Sequence, residues 1–144
     1  MRLFLAAVSI VLLSAPALAQ MRPGQWELRV TVTSFDLPNA SPQQTEALKK
    51  PRVLNRCITP AEAAAGPLAM MKKGVSCSFN RESMIGGSFD VVMTCRQDDG
   101  ATTARISGSF DATQLEMKAV IDQTGPQAMK MTTVTSAKRV GDCP

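Results

Sequence analysis

Gly24-Gln25-Trp26-Glu27-Leu28-Arg29-Val30-Thr31-Val32-Thr33 (GQWELRVTVT, residues 24–33) alternates without a break. Trp26, Leu28, Val30 and Val32 point one way. Gln25, Glu27, Arg29, Thr31 and Thr33 point the other. A period of two over this length predicts a half-buried β-strand with one apolar and one polar face.

The same pattern recurs downstream, separated by turn residues. Val75, Cys77 and Phe79 form one series, and Phe89, Val91, Met93 and Cys95 the next. Then come Ala104, Ile106, Gly108 and Phe110, followed by Leu115, Met117, Ala119 and Ile121. Gly86-Gly87, Asp98-Asp99-Gly100, Asp111-Ala112 and Thr124-Gly125-Pro126 punctuate these runs. The last run, Ala128 to Val140, begins with Met129 and Met131. Val134 then breaks its parity, which predicts a bulge there. Arg52 to Ile58 adds a shorter strand. Closely spaced strands joined by tight turns predict a mainly β fold: an antiparallel meander of about seven strands with one short helix. A sheet with one apolar face must curl or be covered, so the expected form is a strongly curved sheet or partly open barrel.

The helix is expected after Thr59. Thr59 can cap, Pro60 stands at the first helical position, and Glu62 can return a bond to the cap backbone. Ala61 to Ala65 form its body, Gly66-Pro67 end it, and it can resume from Leu68 to Lys73 as a plug or lid. Asp36 to Pro51 holds three prolines and reads as a loop, with room for a turn of helix around Gln43 to Lys50.

Ahead of the first strand, Met1-Arg2 precedes an apolar run from Leu3 to Leu13. Ser14-Ala15-Pro16-Ala17-Leu18-Ala19 follows, an A-x-A cleavage pattern. This reads as a secretory signal peptide over residues 1–19 and a single disulfide-bonded β domain over 20–144. The run is too short for a spanning helix, which needs about 20 residues, so an integral membrane protein is not expected. Gln20 follows the cleavage site, where a lipoprotein would carry Cys. The expected location is the periplasm, where disulfides persist.

Cys57, Cys77, Cys95 and Cys143 are the four cysteines. Four cysteines allow three pairings. A three-residue hairpin loop of Ile85, Gly86 and Gly87 would set Cys77 directly opposite Cys95, about 4.5–5.5 Å apart. That predicts Cys77–Cys95 and, by elimination, Cys57–Cys143. With no C-x-x-C pair, structural bridges are preferred over redox or metal chemistry.

The formal charge is +4, and the chain has no His, no Tyr and one Trp. Without His there is no Ser-His-Asp or Cys-His arrangement and no His general base. No cofactor is implied, and an enzyme is not expected. The basic clusters, Lys49-Lys50-Pro51-Arg52 and Lys72-Lys73, read as solvated surface or as a contact for anionic headgroups of the envelope. No aromatic-interleaved basic motif for nucleic acid is present.

Three functions remain. The first is a non-enzymatic binding or interaction protein of the cell envelope. If it takes a small apolar ligand, Trp26, Phe89, Val91 and Met93 on the inner sheet face are the expected lining. The second is a soft-metal binder using Met70-Met71 and Met129-x-Met131 as thioether ligands for Cu(I). The third is a hydrolase built on paired carboxylates drawn from Asp98, Asp99, Asp111, Glu116 and Asp122.

Several motifs occur together: Pro-Gly-Gln-Trp-Glu at 23–27, Cys-Ile-Thr-Pro-Ala-Glu-Ala at 57–63, the Cys77-to-Cys95 hairpin, and a closing Arg-Val-Gly-Asp-Cys at 139–143. In this combination the chain resembles the secreted proteobacterial family known as domain of unknown function 3617. The resemblance implies a periplasmic, mostly β domain of a Gram-negative bacterium. It brings no activity, ligand or catalytic residue with it.

Overall fold

A computed structural model describes residues 20–72 and 76–144. The expected signal peptide, Lys73 of the helix and Val75 of the third strand lie outside the described residues. The elements are β1 (Gly24–Asp36), α1 (Pro42–Lys49), β2 (Arg52–Ile58), α2 (Pro60–Lys72), β3 (Ser78–Ile85), β4 (Ser88–Gln97), β5 (Gly100–Phe110), β6 (Gln114–Gln123) and β7 (Met129–Gly141). All seven strands belong to one antiparallel sheet, in the order β2-β1-β7-β6-β5-β4-β3. Strands β3 to β7 form the expected meander. β1 then closes onto β7, so the two ends of the domain lie side by side, and β2 and β3 are the open edges.

The alternation at 24–33 does in space what it does in sequence. Trp26 is fully buried, and Leu28 stands opposite Ala137. The inner face collects Phe89, Val91, Ala104, Ile106, Phe110, Leu115, Ala119 and Ala137, and Ala63 of α2 joins them. Burying a large apolar side chain contributes roughly 1.5–3 kcal/mol. This face and the helix over it therefore supply most of the apolar stabilisation.

α2 starts as its sequence predicts. The Glu62 amide donates to Thr59 Oγ1 at 3.2 Å, and the Thr59 amide donates to Glu62 Oε2 at 3.1 Å. The helix kinks at Gly66, ahead of Pro67, and continues to Lys72. A second helix, α1, occupies half of the expected loop, where the sequence leaves room for a turn of helix around Gln43 to Lys50. Ser41 caps it and Gln44 completes a reciprocal capping box, with Pro42 in the first turn. The described residues thus hold two short helices, not one.

Two local expectations need correction. β7 has no bulge at Val134, since its register on β6 runs unbroken from Gln114↔Lys138 to Gln123↔Met129. Val134 lies on the outer face and is exposed, while Thr133 and Thr135 take the inward positions. The irregularities are on the β1–β7 ladder: Thr33 of β1 is the extra residue between Val32 and Ser34, and Val140 of β7 is the extra residue between the partners of Gln25 and Trp26. Second, the β3–β4 hairpin turns on two residues, not three. Ile85 pairs with Ser88, and Gly86 and Gly87 both take positive φ (58° and 81°), as a type I′ turn requires. An extra residue at Asn80 then shifts the register by one and brings Ser78 opposite Thr94. Turn and bulge offset each other, so Cys77 and Cys95 still meet.

The disulfides are Cys77–Cys95, with Cα atoms 4.2 Å apart, and Cys57–Cys143, at 5.4 Å.

Gly108 shows how tightly the sheet is packed. It lies between Phe89 on β4 and Met117 on β6. A Cβ there would come within 2.6 Å of the Phe89 ring and would also strike the Glu116 carbonyl. Gly108→Ala is therefore expected to destabilise the domain by about 1–3 kcal/mol in urea unfolding.

Asp111 fixes the β5–β6 turn. The Thr113 and Gln114 amides donate to its Oδ1 at 2.7 and 2.8 Å, and these bonds hold its carboxyl below the usual carboxylate range. A depressed folded pKa stabilises above the unfolded value of about 3.9 and ceases to do so as pH falls through the folded value. The stability advantage of wild type over Asp111→Asn is thus expected to be full at neutral pH. It should shrink below about pH 4, read as the difference in urea midpoint across a pH series.

Candidate functional site

An apolar crevice of about 160 Å³ opens between the inner sheet face and α2. From the sheet it is lined by Trp26 and Leu28 of β1, Ile58 of β2, Leu115 and Met117 of β6, and Thr135 and Ala137 of β7. From the helix come Pro67, Met70 and Met71, and Met21 closes it from the N-terminal side. Among the described residues, Arg56 is the one charged side chain of the lining.

Local structure explains the opening. Gly66 and Pro67 kink α2, so its second half, with Met70 and Met71, crosses the sheet on a different line from its first. Ala137 is small where its neighbours Leu28 and Leu115 are large, which leaves room between helix and strands. Trp26 forms the floor, and its Nε1–H donates to the Arg22 carbonyl at 3.1 Å. That bond holds the segment that carries the buried Met21.

Of the four residues expected to line a ligand site, only Trp26 does so. Phe89 and Val91 are buried in the core on β4, next to the β3 edge of the sheet, and Met93 of the same strand packs against that core. Phe89 meets Phe110 with ring centroids 6.3 Å apart. The crevice lies against β2, β1, β7 and β6, away from β4.

The methionines separate into groups. Met70 and Met71 share the crevice with Met21 and Met117, giving four thioethers around one space. Met129 and Met131 are not part of it. Met131 pairs with Ile121 on the inner face, and Met129 stands beside the β6–β7 turn. The expected four-methionine set is therefore not assembled, but a different one is.

The carboxylates do not converge. Asp98 and Asp99 form the β4–β5 turn, whereas Asp111 lies in the turn at the other end of β5. Glu116 and Asp122 lie six residues apart on β6, about 20 Å along an extended strand. Asp122 is 3.7 Å from Lys130. The outer face carries a furrow of about 360 Å³ flanked by Glu27, Arg29, Glu116 and Lys138. Its charges are mixed, and the Glu27–Lys138 pair spans 3.5 Å. Such a surface suits water better than an apolar guest.

Among the described residues, no helix is long and apolar enough to cross a membrane. A family model described as "Protein of unknown function (DUF3617)" matches residues 21–143, in agreement with the motifs at 23–27, 57–63 and 139–143. No curated protein and no solved structure matches the chain.

Proposed function

We propose, for a chain that belongs to the DUF3617 family, a non-catalytic binding role in the periplasm, with a small apolar ligand held between the sheet and α2. The observation that carries this reading is the crevice itself. It is concave and lined almost wholly by apolar side chains, and its floor is the sole Trp of the chain. Apolar spaces of about 150 Å³ admit a molecule the size of benzene. The leader sequence and the two disulfides support the compartment.

The test is a titration of the protein with octan-1-ol, followed by Trp26 emission. Saturable binding is expected in wild type. Ala137→Leu fills the space and is expected to weaken binding at least tenfold while the far-ultraviolet circular dichroism stays unchanged. Absence of saturation in wild type would remove the reading.

The cluster of Met21, Met70, Met71 and Met117 supports a second reading, a soft monovalent cation held by thioethers. Competition for Cu(I) against a chromogenic chelator tests it. Wild type should withdraw the metal, and Met70→Leu with Met71→Leu should not.

A further inference from the structure

The register of β2 on β1 sets two arginines on the face that carries the crevice. Trp26 stands opposite Arg56, Leu28 opposite Leu54, and Val30 opposite Arg52. Residues paired across an antiparallel ladder share a face. Arg52, Leu54 and Arg56 are therefore on the crevice side of the outermost strand. Leu54 is 55% exposed, an apolar side chain left open between two cations.

Arg56 reaches the crevice lining, and its guanidinium is only partly used. Nη2 donates to Glu62 Oε1 at 3.1 Å. Glu62 Oε2 is occupied by the amide and hydroxyl of Thr59 at the start of α2. A guanidinium carries five N–H donors in a fork that matches carboxylate and phosphate oxygens. Arg56 therefore keeps donors free at the mouth of an apolar space. Arg52 has no acidic partner among the described residues, and Lys50 precedes it by two positions. The open edge is thus positively charged where it meets the crevice.

We infer that the ligand is a single-chain amphiphile with an anionic head. Its alkyl end fills the crevice against Trp26, Met70, Met71 and Met117, and its head accepts hydrogen bonds from Arg56, with Arg52 adding positive potential on the same face. This inference rests on the crevice reading above. It goes further by naming the head group and the residue that selects it. A space of about 160 Å³ holds roughly six carbons by comparison with benzene in a 150 Å³ cavity. Chains of six to ten carbons are thus the natural probes.

Octanoate and octan-1-ol share a chain and differ in charge. Both are titrated at pH 7 into wild type, Arg56→Gln, Arg56→Lys and Arg52→Gln, with Trp26 emission as the signal and circular dichroism as the check on folding. Octanoate is expected to bind wild type about tenfold more tightly than octan-1-ol, the factor one charge-assisted hydrogen bond supplies. Arg56→Gln should reduce that preference to within about twofold, Arg52→Gln should reduce it less, and Arg56→Lys should retain most of it. Equal affinity of wild type for the two probes overturns the anionic head and leaves the crevice reading standing. A preference that survives both Arg56→Gln and Arg52→Gln also overturns it. Failure of both probes to bind overturns the crevice reading and this inference together.

Discussion

Replacing Cys57 and Cys143 together by Ala is expected to lower the unfolding free energy by about 4–5 kcal/mol. The bridge spans 86 residues, so it removes much freedom from the unfolded chain. It also holds an exposed edge of the sheet. β2 pairs with β1 alone, and of its seven residues only Ile58 is buried. Without the bridge, β2 depends on its backbone pairs with β1, on buried Ile58 and on the Arg56–Glu62 pair, and the tail beyond β7 loses its fastening to the strand that leads into α2. Both cysteines are changed so that no lone thiol confuses the result. The Cys77–Cys95 bridge closes a shorter span of 18 residues across one hairpin, and its paired removal should cost about 3 kcal/mol. Domains of this kind have a total stability of about 5–15 kcal/mol, so either loss is large. Urea unfolding measures both, and hydrogen exchange should place the first loss at β2. A change below about 1 kcal/mol for the long bridge would contradict the role assigned to it.

Trp26→Ala is the second large effect, expected at about 3–5 kcal/mol. Trp26 is fully buried, belongs to the strand that joins β2 to β7, and forms the crevice floor. Its loss leaves a cavity beneath α2 and frees the Arg22 carbonyl it bonds. The segment with Met21 should loosen as a result. Trp26→Phe keeps most of the apolar contact and forfeits the hydrogen bond. It is expected to cost about 1–2 kcal/mol, so the pair of variants separates packing from bonding. Urea midpoints measured by circular dichroism supply the comparison, since the fluorescent side chain is the one removed. A cost below about 1 kcal/mol for Trp26→Ala would mean that the helix and sheet close over the gap.

The strands were legible because each has one dry and one wet face. Trp26-x-Leu28-x-Val30 and Leu115-x-Met117-x-Ala119 carry that contrast in their residues, and the caps at Thr59 and the turn at Gly86-Gly87 are equally local. Ser41-x-x-Gln44 is a local signal too, but three prolines in the same stretch pointed to a loop. Val134 misled for a physical reason. Thr135 can face inward opposite Met117 and Val30 because a methyl and a hydroxyl fit between them, and Val134 is then left outside. Only the cross-strand neighbours decide which of two adjacent β-branched residues goes in.

The site was harder to read than the fold because none of its contacts is local. Met21 precedes the first strand, Met70 and Met71 end a helix, and Met117 lies on β6. They meet because β1 docks on β7 and α2 crosses over both. Trp26 alone announced itself, as the single Trp on an apolar face. The pairing of the first and last strands has no signature in any short window, so Phe89 and Val91 were equal candidates until the sheet order separated them from the crevice.

Methionine methyl groups report directly where an apolar molecule binds. With the methionine methyls carbon-13 labelled, octan-1-ol is titrated in and each resonance followed by NMR. The methyls of Met21, Met70, Met71 and Met117 are expected to shift together and saturably, while those of Met84, Met93, Met129 and Met131 stay near their free positions. Shifts confined to the second group, or spread evenly over all eight, would contradict a binding site between α2 and the sheet.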